Sequence, residues 1–128
     1  MARTLTLTCT YLLGAGDNAS SETQTNAASL TSGLSATING SAPTGGQEYV
    51  VAEYLGSGNK AKGIYFENTD TTNYITLKLG TGSGGGQVCD VRIKAGSVLC
   101  LHDDGDAITH ITVTANSSAA TFVLAFCE

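Results

Sequence analysis

The segment His102-Asp103-Asp104-Gly105-Asp106, with His110 just beyond it, gathers the densest set of groups able to do chemistry in this 128-residue chain. Three carboxylates around a glycine have the composition of a calcium loop, and imidazoles beside carboxylates are donors that zinc accepts. The spacing argues against both. The glutamate that closes a calcium-binding helix-loop-helix segment is missing. The two histidines fit neither a helical nor a hairpin template for a shared metal. The segment reads as a solvated turn between strands, and no metal ligand is assigned.

Nucleophilic chemistry finds no better footing. Cys100 and His102 lie two apart on one expected strand and so share a face, but a core cysteine beside a turn explains them better. No Gly-x-Ser-x-Gly elbow joins a strand to a helix. The run Gly80 to Gly86, GTGSGGG, resembles a phosphate loop only in its glycine content, since no Gly-Lys-Ser/Thr and no helix follow. No catalytic and no cofactor-binding residue is assigned. The four cysteines, Cys9, Cys89, Cys100 and Cys127, match no zinc spacing. They read as buried thiols of a reducing compartment, or as disulfide partners formed after release from a cell. Five tyrosines are available to stack on sugars, but tryptophan is absent. Tyr49, Tyr54, Tyr65 and Tyr74 all suit strands in any case.

The elements that would carry these residues are strands. Sixteen glycines, abundant threonine and a single proline point to short strands joined by glycine turns. Charged residues make up 13% of the chain, about half the usual globular share, which suggests a surface partly covered by partners. Net charge is −5 with six Lys and Arg, which argues against a nucleic-acid groove. No apolar run reaches membrane-spanning length, and the longest is Phe122 to Cys127. The opening MARTLTLTCTYLL alternates instead of forming a continuous apolar core, so a signal peptide is not expected and synthesis in a cytosol is.

The clearest pattern runs from Asn68 to Leu101. Ile75, Leu77 and Leu79 alternate with Thr76 and Lys78, and Cys89, Val91 and Ile93 alternate with Asp90 and Arg92. Lys94 to Ser97 is a glycine turn. Ser97 to Leu101 is a short apolar run that predicts a strand buried on both faces. Upstream, Arg3 to Leu13 is a strand with Leu5, Leu7, Cys9 and Tyr11 on one face and Thr4, Thr6, Thr8 and Thr10 on the other. Gly14 to Ser29 reads as a long polar loop. Leu34 to Ile38 is a short strand ended by an Asn39-Gly40 turn. Gln47 to Leu55 is a strong strand forming a hairpin with Lys62 to Asn68. Ile108 to Thr114 and Ala120 to Cys127 complete eight or nine strands with no amphipathic helix and no internal repeat. The expectation is all-β: one domain over residues 1–128, an antiparallel, jelly-roll-like β-sandwich with long loops at 14–29 and 80–86. Leu77, Leu79, Val91, Ile93, Ile111 and Val113 are expected to face one core.

From Tyr65 to Phe126 the chain resembles the small β-sandwich virion proteins of tailed bacteriophages, of the capsid cement or decoration type. The resemblance rests on FENTDTTNYITLKLG, DVRIKAGSVLCLHDDGDAITHITVTA and TFVLAF. In these, an Asn-x-Asp turn enters an alternating strand, a Lys-x-Gly turn leads to a short apolar strand, and a last strand closes the domain. The resemblance covers about half the chain. It implies a structural role without catalysis or cofactor, with the major capsid protein as partner and the virion as location. The protein is expected to form a homo-oligomer, with a trimer among the options, and to bind neither nucleic acid nor membrane. A tail or neck component is the alternative in the same class, and a carbohydrate-binding module is the alternative from another. The two loops, unable to bury enough apolar surface to order themselves, are expected at subunit or capsid contacts.

Overall fold

The computed structural model describes residues 3–13, 20–30, 34–82, 87–102 and 108–128, and side chains from residue 34 onward outside 83–88 and 102–107. Ten strands and one short helix follow in order: β1 (Arg3–Leu13), β2 (Ser20–Leu30), β3 (Ser35–Ala42), β4 (Gln47–Val50), α1 (Val51–Leu55), β5 (Gly63–Asn68), β6 (Ile75–Gly80), β7 (Gln87–Ile93), β8 (Val98–His102), β9 (His110–Ala115) and β10 (Ala120–Cys127). Eight of them form two four-stranded antiparallel sheets, ordered β3-β10-β5-β8 and β4-β9-β6-β7. β1 and β2 form a separate two-stranded sheet. The protein is an all-β, sandwich-type fold.

The pairing has a simple logic. β3 pairs with β10, β4 with β9, β5 with β8 and β6 with β7, all antiparallel. These four pairs nest like one long hairpin whose tip is β6-β7. Folding that hairpin over itself brings β5 beside β10 and β6 beside β9, which completes the sheets. Every connection from β3 to β10 except β6-β7 crosses between sheets.

Alternation drives the burial. Ile75, Leu77 and Leu79 of β6, Ile111 and Val113 of β9 and Ile93 of β7 are buried, as the period-2 pattern requires, and Val91 is half-buried. Opposite them lie Ile64 and Phe66 of β5 and Phe122, Leu124 and Phe126 of β10. Phe66 and Phe122 stack with centroids 5.5 Å apart. Turns fall where glycine allows them: Gly96 has φ 72°, and Ser97 N–H closes on the Lys94 carbonyl at 3.0 Å.

Several expectations are corrected, first the strand count: the described residues form ten strands and a short helix where eight or nine strands and no helix were expected. Ser20–Leu30, expected within a loop over Gly14 to Ser29, is a strand, while 14–19 lie outside the described residues. Its polar sequence hides this, because β1 supplies its hydrogen-bond partners over eleven residue pairs. Asn39-Gly40 is not a turn but the middle of β3. A Cβ at Gly40 would sit 2.9 Å from the Phe122 ring, so the glycine serves a close approach to its register partner. The expected strand Gln47 to Leu55 stops at Val50. Val51 and Leu55, the buried residues of α1, are four apart, a helical spacing that the β-prone composition masks. Its expected hairpin with Lys62 to Asn68 does not form, because β4 and β5 belong to opposite sheets. Finally, Ser97 to Leu101 is not buried on both faces. β8 is an edge strand, with Leu99 and Leu101 half-buried and Val98 and Cys100 exposed. Of the expected loop at 80–86, Gly80 ends β6 and 83–86 lie outside the described residues.

Candidate functional site

Asp103, Asp104 and Asp106 lie outside the described residues. His102 ends β8 opposite Gly63, whereas His110 opens β9 opposite Gly80 and Val50, so the histidines sit on strands of opposite sheets. Thr109 Oγ1 and His110 Nδ1 are 2.8 Å apart. Among the described residues no three His, Cys, Asp or Glu side chains gather as a metal site would need. Cys89, Cys100 and Cys127 are thiols, half-buried, exposed and buried in turn. The exposed position of Cys100 corrects the expectation that it lies in the core. Burial pushes the Cys127 thiol pKa up. The side chain of Cys9 lies outside the described residues.

The Asn-x-Asp turn that enters β6 is a structural latch. Asn68 is fully buried at the end of β5, and its Nδ2 donates to the carbonyls of Asn73 (2.8 Å) and Ile93 (3.0 Å). Its Oδ1 accepts from the Asp70 backbone N–H at 3.1 Å. Asp70 Oδ1 accepts the backbone N–H groups of Asn73 (2.6 Å) and Thr72 (2.7 Å), and these bonds hold its carboxyl below the usual carboxylate range. Asn73 exchanges hydrogen bonds with Ser117 (2.7 Å) and Ser118 (2.9 Å) in the turn before β10. One corner thus ties β5 of one sheet to β7 of the other and to the β9-β10 turn. Among the described residues, no buried side-chain nitrogen or oxygen lacks a partner.

The two outer faces of the sandwich differ in kind. Residues opposite each other in an antiparallel sheet share a face. On the β3-β10-β5-β8 sheet the outer rows read Thr37-Ala125-Tyr65-Cys100 and Asn39-Val123-Glu67-Val98. Glu67 is the one charged residue in these rows, and its carboxylate accepts the Tyr65 hydroxyl at 2.8 Å. That bond raises the tyrosine's own pKa. Val98 is 53% exposed. On the other sheet the rows read Glu48-Thr112-Lys78-Asp90 and Thr114-Thr76-Arg92. Arg92 lies over the Tyr74 ring at 4.2 Å, and charges of both signs alternate across the face.

β10 carries this asymmetry. It is apolar on both faces: Phe122, Leu124 and Phe126 point into the core, and Val123 and Ala125 stand in the middle of the charge-poor outer face. The sequence held the signal in TFVLAFC, whose apolar residues do not alternate with polar ones. Among the exposed aromatics, Tyr54 on α1 is 45% exposed and meets Phe126 edge-on at 5.8 Å. Set beside known protein families, curated proteins and solved structures, the chain matches none of them.

Proposed function

We propose that this protein is a structural component of a virus particle. In this reading it is a decoration, or cement, protein that binds the major capsid shell through the outer face of the β3-β10-β5-β8 sheet. The observation that carries the reading is β10, a central strand whose outward residues Val123 and Ala125 are apolar and only half-buried. A sheet face built to meet water alternates apolar with polar, as β6 does. The nested strand order supports the reading at the level of fold. We read it as a jelly-roll order, an architecture that capsid proteins, lectins and cupins share. The resemblance of residues 65–126 to phage cement proteins points the same way. No catalytic step and no cofactor is assigned, and the location is the virion after synthesis in the host cytoplasm.

The size of the face says how such binding would work. Four strands at their usual spacing, six or seven residues long, span an area of about 400 Å². A standard stable interface takes about 800 Å² per partner. One face is therefore small, and a homo-oligomer presenting several of them to a repeating shell gains by multivalency.

Val98→Lys tests the face without touching the core. The variant should keep the thermal transition of the wild type and lose at least tenfold in co-sedimentation with purified shells. Cys100, on the same face, should react with a soluble maleimide in isolated protein and be protected on particles. Copy number should scale with the shell subunits. Unaltered binding of Val98→Lys with Cys100 still reactive on the particle would overturn the face. A copy number matching one vertex would indicate a tail or neck component. Saturable binding on a glycan array would indicate a carbohydrate module.

A further inference from the structure

β3 is an edge strand of the β3-β10-β5-β8 sheet, and no described strand pairs on its other side. One hydrogen bond shows which of its backbone groups look that way. Glu128 N–H donates to the Leu34 carbonyl at 3.3 Å, and this pair continues the β3-β10 register, in which Cys127 is opposite Ser35. In an antiparallel ladder, hydrogen-bonded pairs alternate with pairs whose N–H and C=O groups point away. Ala36, Ile38, Gly40 and Ala42 therefore bond to β10. Ser35, Thr37, Asn39 and Ser41 turn their N–H and C=O groups to the open edge. The bond from Thr69 N–H to the Thr121 carbonyl agrees, since it commits Thr121, the partner of Ser41, to the β5 side. Among the described residues, no backbone bond from outside the ladder reaches these four residues.

The other edges of the two sheets are guarded. β4 carries Glu48, β7 carries Asp90 and Arg92, and β8 is five residues long. Charge and shortness are what keep an edge from pairing. β3 has eight residues without a charge, a proline or a shift of register.

The pattern of outward groups identifies the occupant. Ser35, Thr37, Asn39 and Ser41 are placed symmetrically about Ile38. An antiparallel second β3 centred on Ile38 sets Thr37 opposite Asn39 and Ser35 opposite Ser41. Every outward N–H and C=O of both strands then finds a partner. Centring on Asn39 instead would set Ser35 opposite Pro43, which has no N–H to give. Ile38 is half-buried against the core. Across the axis it meets Ile38 of the second copy in a non-hydrogen-bonded pair, the kind in which side chains stand closest.

We propose that β3 pairs with β3 of a second copy across a two-fold axis at Ile38. The contact is isologous. It joins two sheets into one of eight strands, in the order β8-β5-β10-β3-β3-β10-β5-β8. It also deepens the shell-binding reading, on which it rests only for its purpose. Two outer faces of about 400 Å² lie side by side in the dimer, and together they supply the roughly 800 Å² per partner that one face lacks.

Sedimentation equilibrium of the full chain tests it. The wild type should be a dimer. Asn39→Pro removes an N–H aimed at the second copy and none aimed at β10, so it should give monomers and keep the thermal transition. Thr37→Lys/Asn39→Lys sets lysine opposite lysine twice and should weaken dimerisation roughly tenfold. Thr37→Lys/Asn39→Asp sets lysine opposite aspartate and should stay dimeric, whereas a register centred on Thr37 or Asn39 would bring like charges together. Val98→Lys should remain a dimer while losing shell binding, and a dimer that binds no shell would strike the docking face alone. A monomeric or trimeric wild type, an Asn39→Pro dimer, or a Thr37→Lys/Asn39→Asp variant as weak as the double lysine would overturn the proposal.

Discussion

The two sheets of the sandwich meet the core alike and meet the outside differently. β6 of one sheet sends Ile75, Leu77 and Leu79 inward and Thr76 and Lys78 outward. β10 of the other sends Phe122, Leu124 and Phe126 inward, but Val123 and Ala125 outward. Both strands are central, and both are paired on each side. The contrast lies in side chains alone. The face with Lys78, Asp90 and Arg92 is made for water, and the face with Val98, Val123 and Ala125 tolerates water while offering little to hold it. In the proposed reading, a single chain keeps one surface for water and reserves the other for a partner. Non-obligate interfaces show the same depletion of charge at their centre.

The comparison breaks first if the inner faces are not equivalent. Leu77 and Leu124 are both fully buried, one from each sheet. Leu77→Ala and Leu124→Ala should each destabilise the fold by about 2–5 kcal/mol. Urea unfolding should remain one transition in both variants. A loss below about 1 kcal/mol for either residue, or two separate transitions, would mean that the sheets do not share one core.

The next largest effect concerns the corner that holds the sheets together. Asn68→Ala removes two donated hydrogen bonds, to the Asn73 and Ile93 carbonyls, and the acceptor for Asp70 N–H. Buried groups left without partners should destabilise by about 2–3 kcal/mol, measured by the same urea titration. A change within about 0.5 kcal/mol would mean that the latch is ornamental and that packing alone aligns the two faces.

These residues also show what the sequence could and could not reveal. The alternating strands β6, β7 and β9 were legible, because one buried face writes itself into every second residue. β2 was not, because its sequence is largely polar and its place in a sheet comes from its ladder with β1. Gly40 looked like a turn because glycine permits turns and close approaches equally, and only the Phe122 ring decides between them. The charge-poor face was legible in part: TFVLAFC announces a strand apolar on both sides, but not which side stays uncovered. Its partners in the rows, Tyr65 and Val98, come from strands whose register no local pattern specifies.

The smallest effect sharpens the comparison at the same corner, through pH. Asp70 accepts backbone N–H groups from Asn73 and then Thr72, and these bonds lower its carboxyl from the ordinary 3.8. A carboxyl whose folded pKa lies below its unfolded one binds fewer protons in the folded state. Its contribution to stability is therefore complete above the unfolded value and is lost as pH falls below 3.8 through the depressed folded value. Asp70→Asn keeps an acceptor oxygen at the same place and removes the titration. Thermal unfolding of the two proteins should differ by a constant amount above about pH 5, and the difference should shrink in acid. A difference that widens on acidification would place the depressed carboxyl elsewhere. The turn into β6 would then be held by its neutral hydrogen bonds alone.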